Sequence, residues 1–113
     1  MFKRIKKIPD NICDIISLCV LRSSYNKIKN FPNNLHNLIN LQKHDLSHNN
    51  ITAIPSFNNF VNLEYLYLEN NKIKKISNNF NNLVGLREVS LDSNNIKKFR
   101  IVLTILLIYE ISI

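Results

Sequence analysis

Five isoleucines, Ile5, Ile28, Ile51, Ile73 and Ile96, recur at spacings of 23, 23, 22 and 23 residues. A period of this length constrains the fold more than composition does. A unit that short cannot bury its own apolar face, so copies must stack on one another. Other columns keep the same period. Ile8, Phe31, Ile54, Ile76 and Phe99 lie three residues further on, and Pro9, Pro32 and Pro55 follow the first three of them. Then come Ile12, Leu35, Phe57, Phe80 and Leu103, then Ile15, Leu38, Phe60, Leu83 and Leu106. The last apolar column is Leu18, Leu41, Leu63, Leu86 and Tyr109. Asn26, Asn49, Asn71 and Asn94 stand two residues before the isoleucines. Each unit is expected to supply a short strand with alternate side chains pointing inward. A bend and a looser return segment should follow. Asn carries both a donor and an acceptor, so the Asn column is expected to satisfy backbone groups that point inward at the bend.

The clearest unit places Leu63, Leu66, Leu68, Asn71 and Ile73 in the pattern L-x-x-L-x-L-x-x-N-x-L, and the next keeps Leu86, Val89, Leu91, Asn94 and Ile96. On these residues the chain resembles the leucine-rich repeat family, over nearly its whole length up to Phe99. The I-P-x-x-F/L-x-x-L continuation is similar to the class of 22–23-residue repeats common in intracellular signalling scaffolds. The resemblance implies an α/β right-handed solenoid. A short parallel sheet would line its concave face, with irregular or 3-10 segments on the convex face. Residues 1–99 would form the array, a half repeat plus about four units, and residues 100–113 an apolar tail acting as a degenerate repeat or cap.

The pattern breaks in identifiable places. Ser23 stands where Leu46 and Leu68 stand, and His44 where Leu21 and Leu66 stand. A buried, unsatisfied polar group costs about 1–3 kcal/mol, so the first two strands are expected to be weaker than the last two. Lys3 falls in the Asn slot, and the strand before it is missing. The tail carries Ile101, Val102, Ile105, Leu107 and Ile108 between its core positions. Such a tail is expected to dock as a cap, to be covered by another chain, or to self-associate through residues 101–113. Together these breaks suggest a fragment of a longer array or a degenerate copy, whose role would then be structural.

By the resemblance, function belongs to the concave strand positions, and it implies a non-catalytic module that binds a protein partner. The partner-binding candidates are Arg22, Tyr25, Lys43, Asp45, His48, Tyr65, Tyr67, Glu69, Glu88 and Asp92, with Val20, Ser24, Ser47, Asn70, Ser90 and Ser93 on the same face. The face runs from basic to acidic, with tyrosines at its middle. Tyrosine gives contact area at low entropy cost and keeps a polar tip.

The net charge of +7 is placed by the same register. Lys6, Lys7, Lys27, Lys29, Lys72, Lys74, Lys75, Lys97 and Lys98 follow the strands and form a ridge at the turn, interrupted by Asn50, Thr52 and Ala53. Such a ridge suits weak polyanion binding as a third choice. It lacks interleaved aromatics or arginines, so nucleic acid is disfavoured. Asp45, Ser47 and His48 are sequence neighbours rather than groups converging from different elements, and no oxyanion hole accompanies them. His36 falls on the return segment. With one glycine, Gly85, there is no phosphate-cradling loop. No enzyme activity, cofactor or metal site is expected. Cys13 and Cys19 lack zinc-site spacing and are expected to be reduced structural thiols. Pro9, Asp10, Asn11 and Asp14 interrupt the apolar stretch after Lys3, Arg4, Lys6 and Lys7, so no signal peptide is expected. The apolar run from Ile101 is too short to span a bilayer. A cytoplasmic location is expected, and glycosylation at Asn50-Ile51-Thr52 is not.

Overall fold

A computed structural model describes residues 4–54, 60–76, 83–96, 98–99 and 110–112. Among them, in chain order, lie the strands β1 (Val20–Arg22), β2 (Lys43–Asp45), β3 (Tyr65–Tyr67), β4 (Lys75–Ile76), β5 (Glu88–Ser90), β6 (Lys98–Phe99) and β7 (Glu110–Ser112). Short 3-10 turns occupy Asp10–Asp14 and Leu35–Asn37 on the return side. β1, β2, β3, β5 and β7 form one sheet in that order, and β4 pairs with β6 in a second. Every pairing is parallel.

The main-sheet strands β1, β2, β3 and β5 are short: each spans three residues centred on one inward position of its unit. Leu21, His44, Leu66 and Val89 stand opposite one another in the main sheet and are all buried. Their neighbours on either side point outward, as strand alternation requires. The core is one continuous cluster from Ile8 to Leu91, filled by the isoleucine and leucine columns. Full burial of such a side chain contributes roughly 1.5–3 kcal/mol, and stacking supplies the cover that no single unit has.

After β1, β2, β3 and β5 the chain bends through a left-handed residue. Tyr25, His48, Asn70 and Ser93 have φ of 57°, 55°, 58° and 56°. A non-glycine side chain there costs roughly 1–2 kcal/mol. The asparagine that follows each of them holds the bend. Asn49 Oδ1 accepts from the Ile28 N–H (2.9 Å), and its amide donates to the carbonyls of Ser23, Leu46 and Ser47 (3.0 Å each). Asn71 does the same for Ile51, Leu46, Leu68 and Glu69. Asn94 serves Ile73, Leu68, Leu91 and Asp92, and Asn26 serves Ile5, Ser23 and Ser24. Each asparagine thus ties its own bend to the preceding repeat, and Asn49, Asn71 and Asn94 tie it to the preceding strand end as well.

Four sequence expectations are corrected. The last unit departs by one residue from the 23-residue spacing expected of it: β7 pairs Ile111, not Ser112, with Val89. A slip of one residue exchanges the two faces of a strand, and this register aligns Ile111 with the buried Val89. Ile15 is 49% exposed rather than in the core. The first 3-10 turn is five residues long against three in the second repeat, and it buries Cys13 instead. Ser47 is buried rather than on the open face, because its hydroxyl and N–H both turn back to Asp45. Cys19 is an exposed thiol rather than a structural one. The expectations for Phe57, Phe80, Lys97 and the tail residues 101–109 lie outside the described residues.

Candidate functional site

The open face of the main sheet consists of register-matched rows. The first row is Val20, Lys43, Tyr65 and Glu88, and the second is Arg22, Asp45, Tyr67 and Ser90. Beyond the strand ends, backbone hydrogen bonds from Tyr25 to Ser47, His48 to Glu69 and Asn70 to Asp92 carry the alignment into the bends. Adjacent strands lie about 4.8 Å apart, so neighbours within a row are in side-chain reach.

Tyr65 and Tyr67 occupy the centre, both half-buried and both on the outward side of β3. The Lys43 ammonium lies 5.5 Å from the centre of the Tyr67 ring, within the range of a cation–π contact. The Tyr67 hydroxyl titrates above the ordinary tyrosine range, first because of partial burial and then because Glu88, Tyr65, Asp45 and Glu69 repel its charged form. It is therefore a neutral donor at physiological pH. Arg22 and Lys43 lie on the side of the first repeats, and Glu69, Glu88 and Asp92 on the side of the later ones. The face therefore changes sign along the stack.

Tyr25 and His48 are brought together by the bend rather than by the strands. Their rings stack with centroids 4.1 Å apart and planes 8° from parallel. The Asn70 amide lies 3.4 Å from His48 Nε2. His48 is thus engaged by its neighbours in the stack. Ser47 Oγ donates to Asp45 Oδ1 at 2.7 Å and is buried. The hydroxyl and the imidazole of the Asp45–Ser47–His48 trio serve separate contacts, and no relay links them.

His44 is a different kind of site. It is fully buried, and neither ring nitrogen has a hydrogen-bond partner. Burial pushes its pKa down to about 4, against a smaller opposing pull from Asp45. Among the described residues no group of three or more His, Cys, Asp and Glu side chains could hold a metal ion. No described helix is long and apolar enough to cross a membrane. Cys13 titrates above the ordinary thiol range, chiefly through burial and then through Asp10 and Asp14.

A feature hidden in the columns is a stripe of exposed apolar residues just before the strands: Ile16, Ile39, Val61 and Val84. They recur at the repeat period, so their periodicity imitates that of a core column. The residues after them differ in role. The Asn40 amide donates to Ile16 O (3.0 Å) and that of Asn62 to Ile39 O (3.3 Å), one repeat back. At Gly85 a Cβ would lie 3.1 Å from Val61 O. A close backbone approach along this edge thus falls where the chain has its glycine.

A family model described as leucine-rich repeats in two copies matches residues 40–82 and again residues 61–103. No curated protein matches the chain. The two matches together span more than half of the sequence. They follow the same register that stacks the strands and aligns the asparagines, and the chain belongs to the leucine-rich repeat family.

Proposed function

We propose that this chain is a non-catalytic recognition module of the scaffold type, which captures a protein partner on the open face of its main sheet. Domains of leucine-rich repeats generally mediate protein–protein interaction. The observation that carries the reading is the pair Tyr65 and Tyr67, outward on β3 and half-buried among charged neighbours. Arg22, Tyr25, Lys43, Asp45 and His48 would engage one half of the partner, and Glu69, Glu88 and Asp92 the other. A fitting partner would present acidic groups toward Arg22 and Lys43 and basic groups toward Glu69, Glu88 and Asp92. Aromatic side chains in such settings dominate interface energies, at about 2 kcal/mol or more for each truncation.

In the same reading, residues 1–99 are the array and residues 100–113 its degenerate final unit. The pairing of β7 with β5 supports the tail as an extension of the sheet.

The test is comparative capture. Proteins retained on the immobilised chain should be lost when Tyr65→Ala and Tyr67→Ala are combined, with circular dichroism and melting unchanged. Retention of the same proteins by a folded double variant would defeat the reading.

A further inference from the structure

We propose that the turn edge of the first two repeats binds single-stranded nucleic acid, with the Tyr25–His48 stack receiving a base and the cations around it receiving phosphates. The site shares Arg22, Tyr25 and His48 with the rim of the protein-binding reading but leaves out Tyr65 and Tyr67, so its probes and variants can fail without that reading failing.

Spacing along the sequence argues against nucleic acid, because the lysine ridge has no aromatics interleaved with it. The structure supplies the missing element from two different repeats. Tyr25 and His48 lie one period apart in the chain, yet their rings are parallel and 4.1 Å apart. Tyr25 is 62% exposed, so an aromatic platform faces solvent. Sequence reading misses it because neither residue is followed by a second aromatic, and the left-handed bends that align them leave no signature in the residue types.

The platform lies at the cationic end of the molecule. Lys27 and Lys29 leave the same turn, and both are exposed. The Lys27 N–H donates to Ile5 O (2.8 Å) and the Lys29 N–H to Lys6 O (3.2 Å), which brings Lys6 alongside them. Arg22 is exposed at the end of β1. Among the described residues no carboxylate forms an ion pair with Lys6, Lys27, Lys29 or Arg22. Asp10 is paired with Lys7 at 3.5 Å, and Asp45, opposite Arg22 in the register, accepts from Ser47 and keeps its charge. The cations of this edge therefore outnumber its carboxylates. The positive charge continues past Asn50 to the exposed Lys72 and Lys74, along the direction in which a strand would run.

The chemistry selects a single strand. A duplex offers this edge its phosphates but keeps its base faces stacked inside. An unpaired strand offers both, and stacking on an aromatic surface tolerates any base. Counterion release would supply most of the affinity and make it depend on salt.

The probes are a short fluorescent single-stranded RNA and a duplex of the same sequence, titrated with the full chain by anisotropy at several salt concentrations. The single strand should bind more tightly. Tyr25→Asn keeps a residue that tolerates the left-handed bend and should weaken single-strand binding about fivefold to a hundredfold, with duplex binding unchanged. Lys27→Gln combined with Lys29→Gln should weaken both, lowering the single-strand salt slope by about 1.4, from two phosphates at ~0.7 each. The proposal is overturned if the single strand fails to bind at low salt. It is equally overturned if single strand and duplex bind alike and Tyr25→Asn changes neither, since that leaves only a solvated cationic edge.

Discussion

Repeats one and two use the same backbone as repeats three and four but fill it differently. At matched positions across the main sheet, the first pair carries Leu21 and His44 where the second carries Leu66 and Val89. One step further on, Ser23 stands against Leu46, Leu68 and Leu91, and all four are buried. Despite this, the parallel pairing passes through β1, β2 and β3 without a bulge or slip. Register is therefore not set by an unbroken hydrophobic column. The asparagine ladder and the flanking leucines hold the strands in step. The apolar strand positions add stability rather than alignment, and a polar residue in one of them lowers stability without moving the chain.

The largest effect expected from this comparison belongs to the ladder. Asn71→Ala would strand four backbone groups, those of Ile51, Leu46, Leu68 and Glu69. Each orphaned buried group costs about 1–3 kcal/mol, with some recovered by relaxation, so a loss of about 3–5 kcal/mol is expected in urea unfolding. Asn26→Ala affects a half-buried rung with three partners. It should cost about 1–2 kcal/mol, because water can replace part of what is lost. Equal costs at the two rungs would mean that the ladder does not carry register in the way its geometry indicates.

The second effect is specific to the first half of the array. His44 is buried and unpartnered, with a pKa near 4 in the folded state against about 6.5 in an unfolded chain. Between those two values the unfolded chain binds more protons, so stability falls as pH drops from about 6.5 to 4 and is level with respect to this group outside that window. The full difference is about 3 kcal/mol at 1.36 kcal/mol per pH unit. The charged groups nearest His44 offer little relief. Asp45 pulls weakly toward the charged form, while Arg22 on the neighbouring strand stands on the opposite, outward face. His44→Leu should raise stability at neutral pH by about 1–3 kcal/mol, since it removes an unsatisfied polar group. It should also flatten the profile between pH 6.5 and 4. A wild-type acid transition that persists unchanged in the leucine variant would place the weakness elsewhere.

These two residues also show what the sequence makes legible. The Asn and Leu columns are visible because stacking demands the same chemistry at every period. His44 and Ser23 are visible as departures from those columns. Periodicity cannot tell whether a column faces in or out when both would be apolar. Ile16, Ile39, Val61 and Val84 recur as regularly as the core does, yet they are exposed. The Tyr25–His48 stack was hidden for a related reason, because contacts across repeats depend on the handedness of the bends. The register of the last strand is misjudged from sequence because an apolar tail gives several residues that could continue the column, and the pairing of Ile111 with Val89 shortens the expected spacing by one.

The smallest effect sharpens the comparison on the return side. Ile15 and Leu83 share a column, but Ile15 is 49% exposed and Leu83 only 2%. In the first repeat the longer 3-10 turn rotates the segment, so that Cys13 fills the core and Ile12 packs against it in part. Ile15 is left with little apolar surface to lose. Ile15→Ser should then change stability by no more than about 0.5 kcal/mol, as surface substitutions do. Leu83→Ala, by contrast, should cost about 2–5 kcal/mol. If Ile15→Ser proved as damaging as Leu83→Ala in thermal unfolding, the first repeat would be packing its isoleucine inward after all. Cys13 would then not be the residue that closes the core, and Cys13→Ser, which places a hydroxyl there, should pass almost unnoticed.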